Sequence, residues 1–160
     1  VGELYTKSLG GLIVKFWNVY GIEKDMDKAH VITDFIRKGF ETGVIDMMTD
    51  GTEAREFLYA EDCCEALETV MDEYDNLSCD DELHITTGVY TTVLEIAEEI
   101  KSLFFSIGKK ITVIPDEKKD SVQRDARNVP DPYIKEFWQP TTSVKEGLKK
   151  VFEEMKKDYE

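Results

Sequence analysis

The stretch LIVKFWNVYGIEK, residues 12–24, carries most of the information about the fold of this chain. From Leu12 to Trp17 the residues are apolar except for Lys15, a pattern typical of a strand covered on both faces in a parallel sheet. The run ends at the corner Asn18-Val19-Tyr20-Gly21, and a polar loop follows. These residues therefore predict a buried strand that leads directly into a polar corner.

Strands and helices alternate along the rest of the chain. After the last turns of an amphipathic helix at residues 1–9, apolar residues at helical spacing predict helices near residues 31–43, 61–75, 91–108 and 142–155. Strands are predicted at residues 44–48, 55–59, 82–88 and 110–115. This alternation predicts an α/β fold with one core. The apolar faces of the last two helices are predicted to contain Val93, Ile96, Ala97, Ile100, Phe104, Leu148, Val151, Phe152 and Met155.

Composition restricts the classes of partner. The 160 residues include 34 acidic and 20 basic side chains, a net charge of -14 that argues against binding to nucleic acid or to an anionic membrane. A phosphate-bearing ligand must therefore be held by a few local cations. No apolar run approaches the ~20 residues that span a bilayer. The three cysteines form no Cys-x-x-Cys pair, and the simplest expectation is a reducing, cytoplasmic location.

Tyr20 and Lys24 have the spacing of a catalytic tyrosine and its lysine. A tyrosine that acts as a general acid needs that lysine one helical turn away, so that the pKa of the phenol falls. Here the two residues flank Gly21 in a polar loop, and a match of two common residues is weak evidence. We predict that this pair is not an active site and that no residue of this chain carries the proton transfer.

The two histidines lie in different elements, with no cysteine or second histidine at metal-ligand spacing, and no metal site is predicted. His84 falls in a strand and is expected to be a packed, hydrogen-bonded side chain. His30 falls where a loop meets a helix, which is a position open to a binding role.

Arg55 is the leading candidate for binding an anion. It begins a strand after an Asp50-Gly51 turn inside an acidic stretch, and its guanidinium suits bidentate capture of a phosphate. An ion-paired surface arginine would show the same pattern, and both interpretations stay open. A second group of cations, typical of a charged surface loop, surrounds Asp120 and Asn128 and contains Lys118, Lys119, Arg124 and Arg127.

Four segments in series resemble a known enzyme family. They are LIVKFWNVYG at 12–21, HVITDFI at 30–36, DGTEAREFLYAEDCCEAL at 50–67 and FWQPTTSVKEGLKKVFEEM at 137–155. In this order and spacing they resemble the C-terminal half of extended short-chain dehydrogenases/reductases that act on nucleotide sugars, the NAD-dependent epimerase/dehydratase family. The resemblance extends over essentially the whole chain, and the series is specific for the family but not for one substrate.

The resemblance implies how the chain relates to a longer parent protein. In that family a Rossmann domain with a glycine-rich turn, and then a Tyr-x-x-x-Lys set, precede these segments. Residues 1–160 would then be the substrate-binding C-terminal domain, with residual Rossmann-sheet strands near 12–17 and 82–87. The helix at Val31 and the segments around Arg55 and Val113 would build the substrate lobe. NAD or NADP would serve the full-length parent, and this chain alone would hold neither.

The resemblance also implies roles for individual residues. Asn18 matches the asparagine that contacts the sugar or its diphosphate, with Phe16 and Trp17 as apolar walls near the nicotinamide and the substrate. Arg55 matches the arginine that grips the diphosphate, and Phe57 matches a neighbouring apolar wall.

Three further positions match the family less closely. His30 stands where the family often has a substrate-binding asparagine, and Val31 begins the counterpart of a Val-Ile-Pro motif. Lys118 or Lys119 with Asp120 is the nearest match to an Arg-x-x-Asp motif, in which the acid binds the ribose.

The expected partner is a nucleotide-diphosphate sugar, and the expected parent reaction is hydride removal by NAD followed by epimerisation or dehydration. The chain by itself is expected to be inactive. Two alternatives stay open. One is a truncated, non-enzymatic module whose bare sheet edge is covered by a partner or by a second copy in a homodimer. The other is an acidic regulatory domain with no ligand.

Overall fold

The computed structural model describes residues 2–23, 25, 29–121 and 129–160. Helices and strands alternate along them, which confirms the predicted α/β fold. In this part of the chain no helix is long and apolar enough to cross a membrane. The elements in chain order are α1 (Gly2–Ser8), β1 (Ile13–Phe16), β2 (Val19–Tyr20), α2 (Val31–Glu41), β3 (Val44–Asp46), β4 (Ala54–Glu56), β5 (Leu58–Tyr59), α3 (Ala60–Asp72), β6 (Glu82–Ile85), β7 (Tyr90–Thr92), α4 (Val93–Ser106), β8 (Thr112–Ile114) and α5 (Val144–Lys156).

The strands of the described residues pair into four two-stranded sheets. Strands β1 and β6 run parallel with Val14 opposite Leu83, so the strands predicted near 12–17 and 82–87 are direct neighbours. The β2–β5 and β3–β8 pairs are also parallel, whereas β4 and β7 are antiparallel. Parallel neighbours align their carboxyl ends, where ligands of α/β proteins commonly bind.

The predicted strand at 55–59 is wrong in one respect, because the chain changes partner at Phe57. Residues 54–56 pair with β7, and residues 58–59 pair with β2. The apolar side chains of Ala54, Phe57, Leu58 and Tyr59 are all buried. When consecutive residues of a strand are all apolar, the sequence shows no alternation of apolar and polar residues. The position at which the strand changes its pairing partner is then not evident from the sequence.

Helices α2, α4 and α5 pack around one apolar core. The fully buried ring of Phe104 meets Phe40 and Phe152 edge-on, with centroids 4.7 and 4.9 Å apart. Edge-to-face contacts suit the charge distribution of aromatic rings and contribute about 0.5–1.5 kcal/mol beyond burial. The predicted faces of α4 and α5 are confirmed, since all nine of their named residues are buried: Val93, Ile96, Ala97, Ile100, Phe104, Leu148, Val151, Phe152 and Met155.

A second core joins the β1–β6 pair to α3. Leu83 and Ile85 of β6 and Ala66 of α3 are inaccessible to solvent, and Ile134 closes this core from a 3₁₀ turn at Tyr133–Glu136. Val14 of β1 packs against the same cluster. This core therefore holds β1, and with it the corner that begins at residue 18.

Helix α3 begins earlier than predicted. The helix predicted near residues 61–75 starts at Ala60, and its N-cap is Tyr59. Asp62 is buried at 1% exposure, where its carboxylate accepts hydrogen bonds from the segment that precedes α5. The partners are the Thr141 hydroxyl at 3.2 Å and the Thr142 hydroxyl and backbone N–H, both at 2.9 Å. Asp62 thus ties α3 to the start of α5.

Replacing Gly39 with alanine is expected to destabilise the fold. A β-carbon there would lie 2.2 Å from Phe104 Cε2, inside the aromatic core. In a helix, Gly→Ala usually raises the free energy of unfolding by roughly 1 kcal/mol. Overpacking of the core lowers it by about 1–3 kcal/mol, which outweighs that gain. Urea unfolding of Gly39→Ala should show a lower free energy of unfolding. In a Phe104→Leu background the same substitution should cost less; an equal cost in both backgrounds would exclude the ring as the cause.

Asp62→Asn should also lower the free energy of unfolding, by about 1–3 kcal/mol, because the amide cannot satisfy the three donors that face the carboxylate. Asp72→Asn, at the exposed end of the same helix, is the matched control and should change stability by less than about 0.5 kcal/mol. Equal effects of the two substitutions in thermal or urea unfolding would contradict the structural role of Asp62.

Candidate functional site

A cleft of about 780 Å³ opens between α2 and the ends of β1, β3 and β4. This volume lies in the range of pockets that bind small molecules and cofactors. Most of the residues proposed from the sequence meet in this cleft: Phe16, Trp17, Asn18, His30, Val31, Arg55 and Phe57. They come from three separate parts of the chain, so the tertiary fold alone brings them together.

Helix α2 sets the length of the cleft. His30, Asp34 and Lys38 follow each other at intervals of four residues and all line it, which places them on one face of the helix. At 1.5 Å per residue, His30 and Lys38 stand about 12 Å apart along the helix axis. The cleft is therefore elongated, with an Asn18–His30 end and a Lys38–Asp46 end.

Arg55 projects toward the cleft because side chains alternate along β4, where the flanking Ala54 and Glu56 are buried. Its Nη2 donates to Asp120 Oδ2 at 2.6 Å, and 35% of the Arg55 side chain is exposed. A guanidinium has five N–H donors, so this contact leaves donors for an anion in the cleft. Asp120 does not line the cleft but orients the arginine that does.

Asn18 is fixed to the strand pair next to Arg55. Its backbone carbonyl accepts from Leu58 N–H at 3.1 Å, and its side-chain amide donates to the Glu56 carbonyl at 3.4 Å. The end of β1 is thereby attached to the β4–β5 connection. Asn18 and Arg55 consequently line the same cleft from two connected strands.

Glu56 is a structural residue that the sequence analysis missed. It is 1% exposed, and its Oε2 accepts from Gly88 N–H at 2.7 Å and from the Thr86 hydroxyl. The bonds fasten β4 to the loop after β6. An acidic residue inside a predicted strand, directly before the apolar run Phe57-Leu58-Tyr59, was the available signal, because a buried carboxylate requires donors nearby.

His30 contacts a carboxylate at the Asn18 end of the cleft. Its Nδ1 pairs with Glu23, and its backbone N–H donates to Glu23 Oε2 at 2.8 Å. Burial raises the pKa of Glu23, but the hydrogen bonds from His30 and Thr33 outweigh it and leave the pKa below its ordinary value. The His30 ring is 79% exposed and available to a ligand. His84, by contrast, is packed in β6 with its ring centroid 5.9 Å from that of Trp17.

Tyr20 has the environment of a core residue. Its hydroxyl donates to the Val144 carbonyl at 3.3 Å, and its ring is packed against Gly147 of α5. Burial, together with the charges of Tyr59 and Asp62, raises the pKa of Tyr20 well above its ordinary value. A general acid works best with a pKa near the operating pH, so this phenol is unsuited to that task. Lys24 lies outside the described residues.

The second group of cations is only partly described. Lys118 is exposed and lies outside the cleft, and its backbone carbonyl accepts from Asp50 N–H at 2.7 Å. Three of the residues proposed there lie outside the described part of the chain: Arg124, Arg127 and Asn128.

The opposite end of the cleft contains a charged cluster that sequence reasoning missed. Lys38 Nζ lies 3.1 Å from Asp34 Oδ2 and 3.0 Å from Asp46 Oδ1. The spacing of Asp34 and Lys38 on a predicted helix indicated their ion pair, but nothing local indicated Asp46. The apolar side chains of Met47 and Met48 lie beside this cluster in the cleft lining.

The described residues do not form a cradle for a dinucleotide. The pyrophosphate of NAD is typically held at a helix N-terminus that follows a glycine-rich turn. Helices α2 to α5 instead follow His30, Tyr59, Thr92 and Ser143, and capping boxes already occupy the N-termini of α4 and α5. Phe16, 55% exposed at the cleft rim, offers only an apolar surface to such a cofactor.

Known proteins share this sequence pattern and fold. The chain is 27% identical to GDP-L-fucose synthase of Sinorhizobium fredii over 94% of its length, and 32% identical to UDP-N-acetyl-alpha-D-glucosaminuronate decarboxylase of Bacillus cytotoxicus over 88%. Among solved structures, an epimerase of Methanothermobacter thermautotrophicus superposes with a TM-score of 0.81 at 19% identity, covering 99% of this chain. UDP-glucose 4-epimerase of Thermotoga maritima, solved with UDP-glucose, covers 99% with a TM-score of 0.76 at 23% identity.

The matches extend over only part of those proteins. This chain covers 49% and 44% of the two curated relatives and 48% and 52% of the two solved chains, or about half of each. Residues 4–85, which include β1, the Asn18 corner, α2 and Arg55, match the sequence profile of one family. The chain therefore belongs to the NAD-dependent epimerase/dehydratase family.

Proposed function

We propose that this chain, residues 1–160, is the substrate-binding domain of an NAD(P)-dependent nucleotide-sugar epimerase or dehydratase. One observation carries the proposal: Arg55, oriented by Asp120 at 2.6 Å, lines the same elongated cleft as Asn18. In a chain with a net charge of -14, an oriented guanidinium in a cleft marks a site for a strong anion. A diphosphate matches the fork of donors that arginine provides.

The remaining cleft residues suit the other parts of such a ligand. Phe16 and Trp17 give the Asn18 end apolar walls, which suit the faces of a sugar ring held near a nicotinamide. His30 stands at the same end with an exposed ring that can donate to a sugar hydroxyl. Val31 and Phe57 add apolar side chains to the lining of the cleft.

Two further positions complete the proposed site. Asp120 orients Arg55 for the ligand, and the proposed contact of its carboxylate with a ribose hydroxyl rests on the family resemblance. Lys118 adds positive charge outside the cleft. NAD, when bound to the full-length parent, supplies the hydride acceptor. The residues of this chain bind and orient the sugar, and none is assigned the proton transfer.

The relatives support this class of ligand. The names of the two curated proteins specify a GDP-sugar and a UDP-sugar activity, and the Thermotoga structure contains UDP-glucose. Nucleotide-diphosphate sugars are common to all three, whereas the base and the outcome of the reaction differ.

Binding of nucleotide sugars is expected to depend on Arg55. In a thermal-shift titration with UDP-, GDP-, dTDP- and CDP-sugars, at least one should stabilise the protein. Arg55→Ala should reduce the affinity for that ligand by about tenfold or more, because hydrogen bonds to a charged group contribute about 1.5–3 kcal/mol.

Arg37→Ala is the matched control for this experiment. Arg37 is also ion-paired, to Asp34 on α2, but its side chain does not line the cleft. The control should bind as tightly as the unmodified protein. Absence of a shift with every nucleotide sugar, or equal losses in both variants, would contradict the proposal.

The isolated 160-residue chain is expected to show no NAD-dependent turnover. Its sequence contains no glycine-rich dinucleotide turn, the described helices contain no Tyr-x-x-x-Lys pair, and the described residues form no dinucleotide cradle. Incubation with NAD and each nucleotide sugar, followed by chromatography of the sugars, provides the measurement. Any converted sugar in excess of a protein-free control would refute this expectation.

A non-enzymatic association module is the second candidate. Its support is the exposure of apolar side chains on α1, directly after it and at the end of β1, where Leu4 is 76%, Leu9 84% and Phe16 55% exposed. Sedimentation velocity separates the candidates. A chain that self-associates and binds no nucleotide sugar would favour the module, and one that binds nucleotide sugars through Arg55 would favour the substrate domain.

A further inference from the structure

The charged cluster at the Lys38 end of the cleft has a defined internal geometry. The Lys38 ammonium contacts Asp34 Oδ2 at 3.1 Å, Asp46 Oδ1 at 3.0 Å and the Asp46 backbone carbonyl at 3.0 Å. An ammonium group has three N–H donors, and these three oxygens account for them. Lys38 therefore acts as a support that fixes Asp46, rather than as a donor for a ligand.

Asp46 is the acceptor that this support holds in the cleft. It is the last residue of β3, whose register opposite Ile114 of β8 fixes the backbone. Its side chain is 72% exposed, so the carboxylate presents acceptor sites to a ligand. The hydrogen bond from Lys38 lowers the pKa of Asp46, and the group is ionised at neutral pH.

Apolar side chains lie next to this carboxylate. Met47 is buried beside it, whereas Met48 is 85% exposed, and both line the cleft. Thioether side chains are flexible and polarisable and make favourable contacts with aromatic rings. A flat heterocycle can thus lie on Met48 while its edge meets the carboxylate.

The direction of the ligand rests on the proposed function. If the sugar occupies the Asn18 end and Arg55 holds the diphosphate, the nucleoside extends along α2 toward Lys38, over the axial length of about 12 Å between His30 and Lys38. The base of the bound nucleotide then lies next to Asp46. The sequence alone did not indicate which base this would be.

We propose that Asp46 selects a guanine base, its carboxylate accepting hydrogen bonds from N1–H and from the 2-amino group together. Guanine places two donors side by side on this edge, which matches the two oxygens of a carboxylate. Uracil and thymine place carbonyl oxygens on both sides of a single N–H, and these oxygens are repelled by the carboxylate. Adenine and cytosine place a ring-nitrogen acceptor beside their amino group. Selection therefore comes from repulsion of the other bases as well as from attraction of guanine.

The affinities of GDP, IDP, UDP, CDP and ADP for the unmodified protein test this directly by calorimetry. IDP differs from GDP only in the 2-amino group, so it should bind about tenfold more weakly, the value of one hydrogen bond to a charged acceptor. UDP, CDP and ADP should each bind at least about tenfold more weakly than GDP. This comparison needs no variant.

Asp46→Asn extends the test to the residue. This substitution should reduce the affinity for GDP by about tenfold and make the affinities for GDP and IDP nearly equal. It should not reduce the affinity for UDP. Asp72→Asn removes one negative charge at the exposed end of α3, outside the cleft, and should leave all the affinities unchanged. Thermal unfolding of both variants establishes that they are folded.

The outcomes separate this inference from the proposed function. If UDP or another nucleotide binds as tightly as GDP, and Arg55→Ala reduces that affinity, the inference of guanine selection is wrong. The proposed nucleotide-sugar site is supported in that case. A GDP preference that persists in Asp46→Asn likewise excludes Asp46 as its cause. If no nucleotide binds, both the proposed function and guanine selection are refuted.

Discussion

Gly39 lets α2 approach the Phe104 ring more closely than any larger residue would allow, and the cleft depends on that contact. The charged side chains of Asp34 and Lys38 line the cleft from one face of α2, while Ile32, Phe35 and Ile36 are buried against the core. The depth at which α2 sits against α4 and α5 therefore sets how far its charged face stands from the ends of β1, β3 and β4. Because protein interiors are close-packed, a change in side-chain volume between α2 and α4 or α5 shifts α2. The position of the cleft wall therefore depends on the packing of this interface.

Two buried carboxylates hold the other side of the site in place. Glu56 fastens β4 to the loop after β6, and Asp62 fastens α3 to the segment before α5. Neither lies in the cleft lining, yet β4 positions Arg55, and α5 covers Tyr20 at the corner that contains Asn18. A buried carboxylate is costly unless donors surround it, and for that reason such groups specify the relative placement of the segments they join.

The charges of the cleft follow from the acidity of the whole chain. With 34 acidic and 20 basic residues, the protein repels anions in general and can hold one only where a cation is fixed locally. Arg55 is oriented by Asp120, and Lys38 is engaged by Asp34 and Asp46. The two cations therefore have different tasks: one offers donors to a ligand, and the other holds an acceptor in position. Between them the cleft provides an anion site and an acceptor site along one helix face.

The sequence by itself determined most of the elements and the family. The apolar run at 12–17, the helical faces of α4 and α5, and the glycine that ends α2 are local patterns, because burial imposes a period of 2 or 3.6 on the residues that form each element. Arg55 and Asn18 were identifiable because residue type and neighbouring motif are local as well. The partner change at Phe57, the roles of Glu56 and Asp62, and the Lys38–Asp46 contact were decided only by the tertiary structure. Hydrogen bonds and ion pairs between distant segments depend on where the cores place the backbone, and no pattern within a segment specifies that distance.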